Sequence, residues 1–83
     1  MDFHHPLLLE FSEHRDLILK LKDEQESFRD MVDEYHAIDR RICRIERELE
    51  TATDQETETL KKRRLWLKDQ VYHELLSATS AAA

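Results

Sequence analysis

"FRDMVDEYHAIDRRICRIERELETA", residues 28 to 52, decides the fold of this chain. Its apolar positions Phe28, Met31, Tyr35, Ile38, Ile42, Ile45, Leu49 and Ala52 alternate steps of three and four without interruption. That spacing lays one narrow apolar stripe along a helix, while the intervening Arg, Glu and Asp residues solvate the other faces. A helix with one such stripe must bury it against a neighbour, so the stretch predicts a helical seam.

The neighbour follows directly in sequence. Thr53, Asp54, Gln55 and Glu56 form a capping-box pattern, in which a Thr hydroxyl takes an orphan amide of the new helix. The helix that starts there carries Leu60, Leu67, Val71, Leu75 and Ala78 on one stripe. Leu65, Tyr72 and Leu76 form a second stripe about 140° away at ~100° per residue. Two apolar faces call for two neighbours, one of them the preceding helix and the other either an N-terminal helix or a second copy of the protein.

At the N-terminus Leu7, Phe11, Leu17, Ile18 and Leu21 make a broad amphipathic face. The charged run "KDEQES" (22–27) offers Ser27 as a helix cap, which places a bend near residues 23–27. The reading is thus an all-α chain in a single domain, residues 1–77. It has a short N-terminal helix followed by a long antiparallel helical hairpin of coiled-coil character. The helices fall at about 8–22, 25–50 and 54–77, and "ATSAAA" makes a frayed tail, 78–83.

Composition agrees. The 83 residues are 39% charged and 40% hydrophobic, with no glycine and one proline, so the chain lacks the punctuation that sheets and tight turns need. One cysteine, Cys43, allows no intrachain disulfide and fits a reducing compartment. The net charge of -6 argues against a general attraction to nucleic acid or anionic membranes. Residues 40–64 nonetheless hold eight bases against six acids. No run approaches the ~20 apolar residues of a membrane span. The short Leu7–Leu9 stretch has no basic region before it, so no signal peptide is expected and a cytoplasmic location is.

The segments "DEYHAIDRRICRIE" (33–46) and "LKKRRLWLKDQVY" (60–72) resemble the YdcH-like family of small bacterial helical proteins, and the likeness spans roughly residues 4–76. The resemblance implies a short N-terminal helix before a long helical hairpin, and it implies no particular activity. It also implies that Leu17 and Ile18 matter for packing while His14 and Asp16 are surface polar residues. Members of that family often have Pro where this chain has Ser12, Asp or Asn where it has Gln25, and Gly where it has Glu48.

Candidate chemistry is sparse. His14, Arg15 and Asp16 spell the opening of a kinase catalytic loop, but Leu21 stands where the metal-binding Asn is required, and no glycine is present to build a phosphate-cradling loop. Among His4, His5, His14, His36 and His73 no two lie three or four residues apart, so no metal site and no cofactor are expected. His36 and Asp39 read as a surface hydrogen bond one helical turn apart. Cys43 has arginines around it but no histidine base or second cysteine in sequence reach, so no catalytic or redox pair is expected. Arg64 interrupts the apolar stripe of the last helix, a place where polar residues set register or oligomeric state.

Two function classes follow. The leading one is a non-enzymatic interaction or scaffold protein without a small-molecule substrate, acting on a protein partner of unknown identity. Burying one seam against the ordering entropy of two helices leaves a lone hairpin marginal. Self-association, with a dimer favoured, through Leu65, Tyr72 and Leu76 is therefore expected. The alternative is an accessory nucleic-acid binder whose polyanion patch is Arg40, Arg41, Arg44, Arg47, Lys61, Lys62, Arg63 and Arg64. Salt-bridge lacing of the same bases to Glu46, Glu48 and Glu58 is the competing reading of that patch.

Overall fold

The computed structural model describes residues 11–82, and the described chain is all-helical. A single 3-10 turn, Ser12–His14, leads into α1 (Arg15–Glu24), α2 (Glu26–Glu46) and α3 (Asp54–Ala82). Residues 8–10, expected in the first helix, lie outside the described residues.

One residue separates the first two helices. Gln25 is extended, with φ -125° and ψ 111°, and its carbonyl accepts the first bond of α2 from the Arg29 N–H at 3.0 Å. The cap expected at Ser27 is therefore not used; Ser27 lies inside α2, and Gln25 holds the cap position without a side-chain hydrogen bond. A glutamine side chain is a poorer cap than Asp or Asn. The break rests instead on what the two helices bury: Ile18 and Leu21 of α1 and Phe28 and Val32 of α2 share one core.

At its other end α2 stops at Glu46 rather than near residue 50. The N–H of Leu49 donates to Arg44 O at 2.8 Å and that of Glu48 to Ile45 O at 3.1 Å, which is the paired pattern of a Schellman stop. The motif needs a left-handed residue, and Glu48 supplies it at φ 60°. Leu49, expected in the seam, is thereby turned outward and is 72% exposed. The chain then reaches Thr53, whose hydroxyl oxygen accepts from the Glu56 N–H at 3.1 Å and starts α3 as the capping box predicts. The helix continues through Ala82, beyond the expected end near 77.

The core cluster joins Ile18, Leu21, Phe28, Val32, Tyr35, Leu67, Val71 and Leu75, with Phe11, Leu17, Met31, Ile38 and Ala78 packed around it. Ile42 is also fully buried. Met31, Ile38, Ile45 and Leu60, read as seam residues, are half-buried. Val32, outside the expected seam, is sealed, and His36 and Asp39 beside it are buried too. The seam widens because α2 is covered from two directions, by α3 and by α1, so its buried face exceeds the stripe a single partner requires.

Candidate interaction surface

The eight bases converge where α2 ends and α3 begins, and the structure supplies most of them with carboxylates. Arg41 Nε donates to Glu50 Oε2 at 2.7 Å, and Arg44 Nε to Glu50 Oε1 at 3.2 Å, so one glutamate of the turn ties down two arginines. Lys61 lies 3.7 Å from Glu46, and Lys62 lies 3.2 Å from Glu58 one turn earlier on the same helix. Arg63 reaches across to Glu34 with a fork of two bonds, 2.7 and 2.9 Å, and its guanidinium sits 4.5 Å over the Trp66 ring. Bidentate pairing and ring stacking are what a guanidinium offers and an ammonium does not.

These contacts set the local acidities. The hydrogen bond from Arg63 holds the Glu34 carboxyl below its ordinary value, and Glu34 in turn raises Arg63. The hydrogen bonds from Arg41 and then Arg44 hold Glu50 below its ordinary value, and Glu50 raises Arg41. Both carboxylates are therefore charged through the neutral range, where they offset the bases.

Arg64 is the inward member of the set. Its Nη1 donates to Asp39 Oδ1 at 2.9 Å, with only 9% of the Asp39 side chain exposed. Asp39 and His36, read from sequence as a surface pair, are both buried, and Asp39 also accepts a bond from Arg64 on the neighbouring helix. The His36 ring packs edge-on against Tyr35 at 6.0 Å. Sequence reasoning found Arg64 by its intrusion on an apolar stripe but missed Asp39. Its spacing of four from Tyr35 and three from Ile42 placed it beside the seam, and no complementary apolar gap marked it.

Cys43 is a half-buried free thiol. It lines a surface concavity of about 300 Å³ with Arg40, Arg44, Arg47 and Leu49. Of the histidines, His73 is exposed, while His14, implied to be a surface residue, is half-buried. Its Nδ1 is buried without a hydrogen-bond partner among the described residues. Asp16 is exposed and Ile18 sealed, with Leu17 half-buried between them. His4 and His5 lie outside the described residues. Among the described residues no group of three or more His, Cys, Asp or Glu side chains is placed to hold a metal ion, and no helix is long and apolar enough to cross a membrane.

A second surface of different character runs along α3. Leu65, Tyr72 and Leu76 are 56%, 43% and 42% exposed, and Trp66 adds to the apolar area beside them. Part of this face is engaged within the chain, since Phe11 stacks on Tyr72 with ring centroids 5.6 Å apart. What stays open is a stripe of large side chains on a 29-residue helix, a surface suited to another helix rather than to a small ligand.

No curated protein and no solved structure matches the chain. A family model described as a protein of unknown function, DUF465, matches residues 28–75, from the first sealed residue of α2 to the last sealed residue of α3. With more than half of its length matched, the chain belongs to the DUF465 family, of which the YdcH-like proteins are members.

Proposed function

We propose that the chain is a non-enzymatic, self-associating interaction module of the cytoplasm, in which α2 and α3 form an antiparallel hairpin and α1 lies across the hairpin's open end. The order of cross-helix pairs supports the hairpin: Lys61 meets Glu46, Arg64 meets Asp39 and, from the same turn of α3, Arg63 meets Glu34. The observation that carries the functional reading is the exposed apolar stripe of Leu65, Tyr72 and Leu76; among the described residues most other large apolar side chains, Leu19, Leu49 and Trp66 apart, are taken into one core. Large side chains left in water on one helix face are what a partner helix covers.

The test is sedimentation of the full chain over a wide concentration range, with Leu65→Asp beside it. Wild type should gain mass with concentration, and Leu65→Asp should remain a helical monomer; a concentration-independent monomer mass for wild type would sink the reading. The rival, nucleic-acid binding by the basic cluster, is weakened because six of its eight bases already face carboxylates. Titration with RNA and DNA at two salt concentrations separates the two, since phosphate contacts weaken steeply with salt and should be lost on neutralising Arg41 and Lys62.

A further inference from the structure

Lys62, Leu65, Asp69, Tyr72 and Leu76 are all exposed, and they recur along α3 at alternating steps of three and four. This is a second seam, on a different face from the Leu67, Val71, Leu75 stripe that enters the core. It carries one base and one acid among its apolar members, and those two charges discriminate between ways of pairing it with itself.

In a parallel, in-register pair each residue faces its own copy. Lys62 would then lie on the partner's Lys62 and Asp69 on the partner's Asp69, with the acidic layer held between Leu65 and Tyr72 where water is excluded. Like charges in such a layer oppose association. An antiparallel pair with Leu65 beside the partner's Leu76 removes both conflicts. Asp69 then sits beside the partner's Tyr72, whose phenol can donate to the carboxylate, and the two Lys62 ammonium groups move ~26 Å apart at 1.5 Å per residue. Each Lys62 comes to lie near the C-terminal turn of the partner's α3, where a cation is favoured. Apolar meets apolar twice and carboxylate meets phenol twice, as two-fold symmetry requires.

We infer that the second copy docks antiparallel on α3, about a two-fold axis between Asp69 and Tyr72, with Leu65 against the partner's Leu76. The inference rests on the self-association reading and adds its orientation and register. The Phe11 ring stacked on Tyr72 leaves that side chain 43% exposed, so the phenol can serve both neighbours.

Disulfide trapping tests it, in full-length chains with Cys43→Ser so that introduced thiols stand alone. An equal mixture of Leu65→Cys and Leu76→Cys should give a covalent heterodimer on mild oxidation. Neither variant alone should cross-link, because like positions are ~16 Å apart in the antiparallel pair. Efficient cross-linking of Leu65→Cys with itself would mean the parallel register and overturn the inference. A dimer by sedimentation that none of these thiols trap overturns it equally while leaving self-association intact, whereas a monomer at all concentrations overturns both. Tyr72→Phe gives an independent reading: the dimer Kd should rise about tenfold or more, the loss of two charge-assisted hydrogen bonds. No change in Kd would count against the register.

Discussion

The end of the molecule where three helices meet and the tip where two meet are held by different forces. At the three-helix end Ile18, Phe28, Val32, Val71 and Leu75 are sealed from water in one apolar cluster. At the tip, Leu49 is left in water, Glu50 ties the connecting turn to Arg41 and Arg44 of α2, and Lys61 pairs with Glu46 across the two helices. The change of regime falls at Asp39–Arg64, one turn beyond the apolar cluster and one turn before Ile42. Two helices alone cannot exclude water from every flank of their contact, so charges on those flanks remain solvated and weakly stabilising. A third helix closes the flanks, and apolar burial takes over.

The comparison breaks first at the sealed end. Phe28→Ala removes a fully buried aromatic ring at the point where α1 and α2 diverge, and it should cost ~3–5 kcal/mol. Thermal unfolding followed by circular dichroism should show the midpoint fall sharply or cooperativity vanish. The matched change at the tip, Leu49→Ala, should move the midpoint little. Equal effects would remove the distinction between the two ends.

The next effect is expected at the boundary. Arg64→Ala leaves the nearly buried Asp39 carboxylate without its guanidinium, which should cost roughly 2–3 kcal/mol, less than a fully buried pair because Arg64 itself is 31% exposed. Replacing both partners, as in Asp39→Leu with Arg64→Leu, should recover most of that loss, since an apolar pair there extends the core toward Ile42. Denaturant midpoints of the single and double variants decide this. If Arg64→Ala is neutral, the pair belongs with the solvated tip and the boundary lies nearer the core than the structure places it.

How far the sequence displayed this division depends on the residue. Phe28, Tyr35, Leu67, Val71 and Leu75 were legible because their 3.5-residue spacing is a direct image of one buried stripe. Val32 was not, because α1 covers a flank of α2 that a two-helix seam leaves open, and sequence spacing cannot show a third neighbour's angle of approach; Asp39 was not, because its burial comes with the Arg64 guanidinium of the neighbouring helix rather than with an apolar partner. Leu49 was misplaced for a local reason: it continues the periodicity perfectly, and only the left-handed turn at Glu48 ends the helix before it. Gly at that position would have announced the stop, and this chain has none. The basic cluster was visible, yet its pairing with Glu34, Glu50 and Asp39 depends on which residues of α2 face α3, which spacing alone leaves open.

Glu48 therefore sharpens the comparison from the tip side. A Cβ-bearing residue held at φ 60° gives up about 1 kcal/mol that glycine does not. Glu48→Gly should raise the unfolding midpoint by the corresponding few degrees, with the Leu49 and Glu48 amide bonds to α2 retained. A loss of stability would mean that the carboxylate contributes to the charge pairing of the tip more than its backbone costs.

The smallest effect is the one that isolates the more exposed charge pairs on either side of Asp39–Arg64. Glu34 and Glu50 titrate below the ordinary glutamate value of 4.5, held there chiefly by hydrogen bonds from Arg63 and Arg41. A carboxylate whose folded-state pKa is lowered adds stability that is fully present above its unfolded value and is lost as the pH falls through the folded one. The acid limb of the stability curve should therefore begin near the ordinary carboxylate range and continue below it. Glu34→Gln combined with Glu50→Gln should flatten that limb and lower the neutral-pH midpoint by the same small amount, small because both side chains are partly exposed and water screens them. Raising the salt concentration should mimic the double variant. An acid limb unmoved by both manipulations would show that these pairs orient their side chains without stabilising the fold, and that the better-buried Asp39–Arg64 pair outweighs them.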